Sequence, residues 1–247
     1  MKRILSYNVN GIRSAIGKGL FDFLAEVNPD IICFQETKAQ PGQMHESDYE
    51  ALGYYGYALS AVKKGYSGVA IFTKVEPDLV VFGMGNEKYD NEGRVIRADF
   101  GDVSIISVYF PSGTTGGIRQ AFKMDFLTDF QNYLTELRKT RSKLIISGDY
   151  NICRLWSDIH NPENQQGTSG FLPEEREWFA NFVDDGYVDS FREFNQEKHQ
   201  YSWWSYRAGS RKNNKGWRID YHMITSNLKD MLLNASILPL AVHSDHC

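Results

Sequence analysis

The chain has 247 residues, 42% hydrophobic and 14% aromatic, enough apolar material to bury a large core in one domain or two, so it is a globular protein. Its 27 Lys and Arg against 31 Asp and Glu give a formal charge of −4, which excludes a protein that coats nucleic acid by bulk charge. Three widely separated cysteines, Cys33, Cys153 and Cys247, exclude a disulfide framework and a zinc spacing.

The elements follow in chain order. Arg3–Val9 is a short apolar run that reads as a strand. Only Ile4 and Leu5 precede its polar residues, too few for a secretory signal, and no run in the chain approaches a membrane span, so a cytoplasmic protein is expected. Leu20–Val27 is a helix candidate; Asp30–Gln35, Gly68–Thr73, Leu79–Phe82, Val95–Phe100 and Val103–Tyr109 read as strands bounded by Gly, Pro, Asn or Asp. Gly117–Lys139 carries Phe122, Phe126, Phe130, Tyr133, Leu134 and Leu137 three or four apart, one apolar stripe on a long helix. Leu144–Ser147 is a strand. Pro173–Val183 opens with a proline and two acids suited to a helix N-terminus. Trp217–Thr225 and Ile237–Val242 complete the strands. Strands outnumber helices without strict alternation, which favours stacked sheets flanked by helices over a doubly wound parallel sheet.

Several strands run into polar residues: Tyr7 into Asn8 and Asn10, Phe34 into Glu36, Val108 into Tyr109, Ser147 into Asp149 and Asn151. Asn and Asp are turn formers and belong where strands stop; Glu36 and Tyr109 are not. Strand ends meeting at one rim would gather carboxylates, amides and a phenol, with Asp245 and His246 arriving from the chain end. Such oxygen donors suit a hard cation such as magnesium. In an extended chain Asp149 and Asn151 face the same way. A basic loop, Arg207, Arg211, Lys212, Lys215 and Arg218, surrounds glycines and Trp217, close to Trp203 and Trp204. On charge alone it reads as a solvated loop, and the tryptophans read as core.

The segments SYNVNGIRS, CFQETK, GYSGVAIF, EGRVIRADF, VYFPSG, SGDYNIC, GFLPEEREW, GWRIDY and HSDHC occur in this order over nearly the whole chain. Together they resemble the exonuclease III class of apurinic/apyrimidinic endonucleases, within a superfamily that includes deoxyribonuclease I, sphingomyelinases and inositol polyphosphate phosphatases. The resemblance implies an α+β fold, a four-layer sandwich of two packed mixed β-sheets flanked by helices, as one domain over residues 1–247. In the family HSDHC is followed by a closing strand, so the resemblance implies that the last strand is missing.

It also implies a site. Tyr109, Asp149, Asn151, Asp220 and His246 would be catalytic, with Asp220 orienting the His246 imidazole; His222, two residues after Asp220, is an alternative partner. Asn8, Glu36, Asp149, Asn151 and Asp245 would hold magnesium, or manganese in its place, with Asn10 standing where some relatives have aspartate. Arg13, Lys38, Arg94, Arg211 and Lys215 would contact the DNA backbone, while Trp203, Trp217 and Ile219 would line the pocket for a flipped abasic sugar. The implied activity is hydrolysis of the phosphodiester 5′ to an abasic site, leaving a 3′-hydroxyl, with 3′-phosphodiesterase and 3′→5′ exonuclease activity. The partner would be double-stranded DNA with abasic sites or blocked 3′ ends, bound by a monomer away from any membrane. The alternatives are a phosphoesterase of lipid or inositol phosphates and a non-catalytic nucleic-acid-binding regulator of the same fold.

Overall fold

The structure is a computed structural model describing residues 2–247. The first sheet takes β1 (Ile4–Asn8), β2 (Ile31–Gln35), β3 (Tyr55–Leu59) and β4 (Val69–Thr73), in spatial order β1-β2-β4-β3, with β1 and β2 parallel. The second takes β5 (Leu79–Phe82), β6 (Val95–Phe100), β7 (Val103–Tyr109), β8 (Lys143–Asp149), β9 (Tyr187–Asp189) and β10 (Asp220–Thr225), in order β5-β6-β7-β8-β10-β9, with β7 and β8 parallel. Both sheets are therefore mixed, and the sandwich matches the expected fold class.

Each layer follows from the side chains the strands present. Cys33, Val69 and Ile71 of the first sheet pack on Ile96, Ala98 and Ile105 of the second, forming the core between them. Alternate residues point outward. Helices α1 (Ile12–Gly17), α2 (Leu20–Val27) and α3 (Glu46–Ala51) cover the outer face of the first sheet, placing Ile12, Leu20, Leu24 and Tyr49 against Phe34 and Phe72. On the second sheet, α4 (Glu87–Asp90) contributes Tyr89, α5 (Gly117–Arg138) its Phe126–Phe130–Leu134 stripe and α6 (Pro173–Asp184) Trp178, Phe179 and Phe182. A short α7 (Ser190–Phe194) follows β9. Burying each such large side chain is worth about 1.5–3 kcal/mol. An apolar groove of about 1040 Å³ runs beside the edge strand β1, lined by Ile4, Leu5, Phe23, Ile224 and Leu238. No helix among the described residues is long and apolar enough to cross a membrane.

Three sequence expectations change. Ile237–Val242 is not a strand: Pro239 removes a ladder donor at its centre, Leu240 is 91% exposed, and the segment runs as irregular chain over the surface. β3 lacks a strong apolar signal because it is an edge strand with Gly56 inside it, and β9 is only three residues long. The strand placed at Trp217–Thr225 begins only at Asp220.

One buried ion pair joins this framework to the end of β8. Lys123 of α5 and Glu175 of α6 are both fully buried, 2.6 Å apart. Lys123 Nζ also donates to the Asn151 carbonyl at 2.8 Å, and Glu175 accepts the backbone N–H groups of Gly170 and Leu172 at 2.6 and 3.0 Å. Removing one partner strands an uncompensated charge in the core, whereas replacing both with apolar groups does not. Lys123→Met should lower stability in urea unfolding by about 3–5 kcal/mol, and adding Glu175→Leu to it should recover only part of that loss, because the Gly170 and Leu172 N–H groups then lose their acceptor.

Candidate active site

Strand register builds the site. Along the second sheet Tyr109 of β7 pairs with Asp149 of β8, and Asp149 pairs with Asp220 of β10, so a phenol and two carboxylates stand in one row at the rim. Facing them across the sandwich, β1 ends at Asn8 and β2 runs into Glu36. The Asn8 amide nitrogen spans the gap, donating to Glu36 Oε1 at 3.0 Å and Asp149 Oδ2 at 2.8 Å. Gly148 makes the row tight: a Cβ there would lie 1.9 Å from the Val108 carbonyl oxygen, so only glycine lets β7 and β8 approach at this point.

Into this row comes His246 from an irregular final segment. Its Nδ1 lies 2.9 Å from Asp220 Oδ2 and its Nε2 4.0 Å from Asp149 Oδ2. An ionised carboxylate only accepts, so Nδ1 carries the hydrogen and Nε2 faces the site. Burial opposes charge on the ring, but the carboxylates of Asp220, Asp149 and Asp245 outweigh it and raise the imidazole pKa to about 10. Burial, together with the charges of Asp220 and Glu36, raises the Asp149 carboxyl well above the usual carboxylate range. Glu36 moves the other way: burial would raise it, but the Lys38 ammonium 2.7 Å away and the Asn8 amide hold it low. Burial and the neighbouring Glu36 and Asp149 charges keep the Tyr109 phenol protonated.

Ligand atoms of Glu36, Asp149 and His246 lie within 4.8 Å of one another, a cluster able to hold a metal ion. Its oxygens are buried like charges with few cations near them, which suits a hard divalent ion. Two residues expected as metal ligands are hydrogen-bonded to their neighbours at the site. Asn8 turns its amide nitrogen to the carboxylates while its oxygen accepts the Asn10 N–H at 2.9 Å. Asp245 has both oxygens occupied, one by Asn10 Nδ2 at 2.9 Å and the other by Trp203 Nε1 at 3.0 Å. Adjacent Asp245 and His246 both serve the site because the chain there is not a strand. Asn151 also departs from the extended chain assumed for it: at φ 51° it folds back, its N–H donating to Asp149 Oδ1 at 2.8 Å. Its amide nitrogen is held by the Phe110 carbonyl at 2.9 Å, which leaves the amide oxygen for a ligand.

The expected pocket residues do meet. Trp203 and Trp217 pack edge to face at 5.9 Å, with Ile219, Phe171 and Ile159 beneath them. The expected DNA-contacting cations divide. Arg13 and Lys215 are exposed. Lys38 is turned inward to Glu36 and Asn10. Arg94 is a correction: its side chain is 1% exposed, ion-paired with Glu92, bonded to the Tyr109 carbonyl at 2.9 Å and laid over the Tyr109 ring, so it supports the phenol and cannot reach a ligand. Arg211 is likewise turned to backbone carbonyls. Arg218 of the basic loop is buried between Asp158 and Asp189, so only Arg207, Lys212 and Lys215 of those five cations stay exposed. Sequence reasoning missed Ser202, whose hydroxyl donates to Asp220 Oδ2 at 2.6 Å; a serine between aromatics carries no signal of that pairing.

A family model described as the endonuclease/exonuclease/phosphatase family matches residues 5–246. The chain is 42% identical over 247 residues to a Bacillus subtilis protein named exodeoxyribonuclease, an alignment covering 99% of this chain and 96% of that one. Among solved structures it is similar to an AP endonuclease from Archaeoglobus fulgidus, with TM-score 0.90 and 31% identity, covering 100% of this chain and 96% of that one. It is also similar to a Neisseria 3′ phosphatase bound to product DNA hairpin, with TM-score 0.86 and 26% identity, covering 100% and 96%.

His222 is no partner of Asp220. Its Nδ1 lies 2.7 Å from Ser147 Oγ, and burial lowers its pKa from 6.5 to about 4. The folded state thus resists a proton that the unfolded chain takes up at 6.5, so stability is unaffected above that pH and falls between pH 6.5 and 4. Wild type should lose on the order of 3 kcal/mol more than His222→Gln across that window, measured as urea midpoints at pH 7.5 and 4.

Proposed function

We propose a function from one premise: the chain belongs to the endonuclease/exonuclease/phosphatase family, whose model spans residues 5–246. It is a DNA repair nuclease that hydrolyses the phosphodiester 5′ to an abasic site, leaving a 3′-hydroxyl, and trims blocked 3′ ends. The observation that carries this reading is the meeting of Asp149, His246 and Asp220 beside Glu36, next to an apolar cluster that contains Trp203, Trp217 and Ile219. The names of its relatives support the substrate class: an exodeoxyribonuclease, an AP endonuclease and a 3′ phosphatase with DNA bound.

Each side chain has a task that its surroundings permit. Asp149, its pKa raised by burial and like charge, accepts a proton from the attacking water, which the Asn151 amide oxygen holds in line. His246, kept protonated by Asp220, and the Tyr109 hydroxyl donate to the phosphate oxygens on which charge accumulates. The bond from phosphorus to the 3′ oxygen breaks as the water oxygen adds, and the leaving oxygen takes up a proton. Glu36 and Asp149 would hold magnesium, or manganese in its place, which supplies charge neutralisation at the phosphate. A sugar without its base would be taken up beside the Trp203–Trp217 pair with little stacking to break, and the apolar surroundings there would favour it over an intact base. The exposed Arg13 and Lys215 fix register through the DNA backbone without reading sequence.

A labelled duplex with one tetrahydrofuran abasic analogue should be nicked once, 5′ to the analogue, with magnesium and not with EDTA. On a denaturing gel His246→Ala and Asp149→Asn should each slow that nick by about 10²–10⁴-fold. Absence of any metal-dependent nick by folded wild-type protein would refute the reading.

A further inference from the structure

Between Leu232 and Asp245 the chain has neither helix nor strand, yet it delivers Asp245 and His246 to the rim. A single antiparallel bridge to Trp203, with the Cys247 N–H donating to the Ser202 carbonyl at 2.9 Å, pins its end; upstream of that bridge side-chain anchors matter more, and several bonds converge on one residue of the basic loop. Arg211 Nη1 donates to the Ser244 carbonyl at 3.2 Å; Nη2 donates to the Pro239 carbonyl at 3.0 Å and to that of Ala241. Its guanidinium lies over the Trp204 ring, 4.7 Å from the centroid. Trp204 is fixed in turn, its Nε1 donating to Asn214 Oδ1 at 3.1 Å and its backbone N–H to the Asp245 carbonyl at 3.0 Å.

We propose that Arg211 is a positioning residue, clamping the backbone of Pro239 to Ser244 so that Asp245 and His246 stay in place, and is not a contact to the DNA phosphates. A planar guanidinium can serve three carbonyls while stacked on an indole; the single ammonium of a lysine cannot reproduce that fork. With its Nη donors directed at protein carbonyls, little of the group remains for a phosphate. Ser244 is two residues from His246, and a displacement of about 1 Å at a reacting group costs on the order of 10²-fold in rate. The catalytic part of this inference rests on the nuclease reading above; the clamp itself does not.

The test compares wild type with Arg211→Lys and Arg211→Ala in two measurements. Hydrogen exchange without DNA should show faster exchange in a peptide covering residues 239–247 of both variants, with β7 and β8 peptides unchanged. Single-turnover nicking of the tetrahydrofuran duplex at saturating DNA should fall about 10–100-fold in both, with the slope of log KM against log salt as in wild type. A DNA-phosphate contact behaves oppositely: Arg211→Ala would reduce the salt slope by about one and raise KM, and the saturated rate would stay at the wild-type value. That result overturns the proposal. So does wild-type nicking by Arg211→Lys, since charge alone would then suffice. Should Arg211→Ala not fold, Arg211→Lys decides both measurements alone. If wild type nicks nothing, the nuclease reading has failed, and unchanged exchange at residues 239–247 would separately refute the clamp.

Discussion

Crowding of buried negative charge at one rim is the constraint on which the rest of the structure depends. The register of β7, β8 and β10 sets Tyr109, Asp149 and Asp220 side by side, and β2 delivers Glu36 from the opposite sheet. Like charges this close and this dry repel strongly unless a proton, a cation or a hydrogen-bond donor lies between them. The protein supplies all three kinds of relief: the Asn8 amide between Glu36 and Asp149, the Lys38 ammonium on Glu36, and the His246 imidazole between Asp220 and Asp149. The relief is incomplete, which is why Asp149 holds a proton so readily and why the cluster suits a divalent ion and an anionic phosphate group.

A few buried cations are committed to holding this arrangement. Arg94 braces Tyr109 from behind, Lys123 fixes the turn that carries Asn151, and Arg218 ties the start of β10 to Asp158 and Asp189. These residues act through backbone and packing, so a polyanion meets other cations, among them the exposed Arg13, Arg207, Lys212 and Lys215. A net charge of −4 is consistent with that economy: binding through a few placed cations needs no overall positive field.

How much of this was legible in the residues varies by position. The strand cores were, because β-branched runs stopped by Asn, Asp or Gly have few other conformations open to them; eight of the proposed strand positions and all three proposed helices were found near where they were placed. Edge strand β3 was hidden by Gly56, and Ile237–Val242 misled because its apolar residues read as a ladder that Pro239 forbids. At the site, the pairing of Asp220 with His246 came only from the family resemblance, and their distance from Asp149 was not legible at all. Which atoms of Asn8 and Asp245 face which neighbours was not legible either: a carboxylate or amide in a motif has several atoms, and only its surroundings in space determine which one is engaged.

The sequence by itself determined the two-sheet architecture, the residues at the rim and the chemistry they are suited to, since apolar periodicity and side-chain type act locally and survive any fold. Only the tertiary structure decided which charges are spent on one another. Arg94, Arg211 and Arg218 read as free cations along the chain, yet each meets its partners across separations of 15 residues or more in at least one bond. Charge state, exposure and the choice between ligand and scaffold depend on those long-range neighbours, because the energy of a charge is set by the dielectric and the partners around it and not by its place in the sequence.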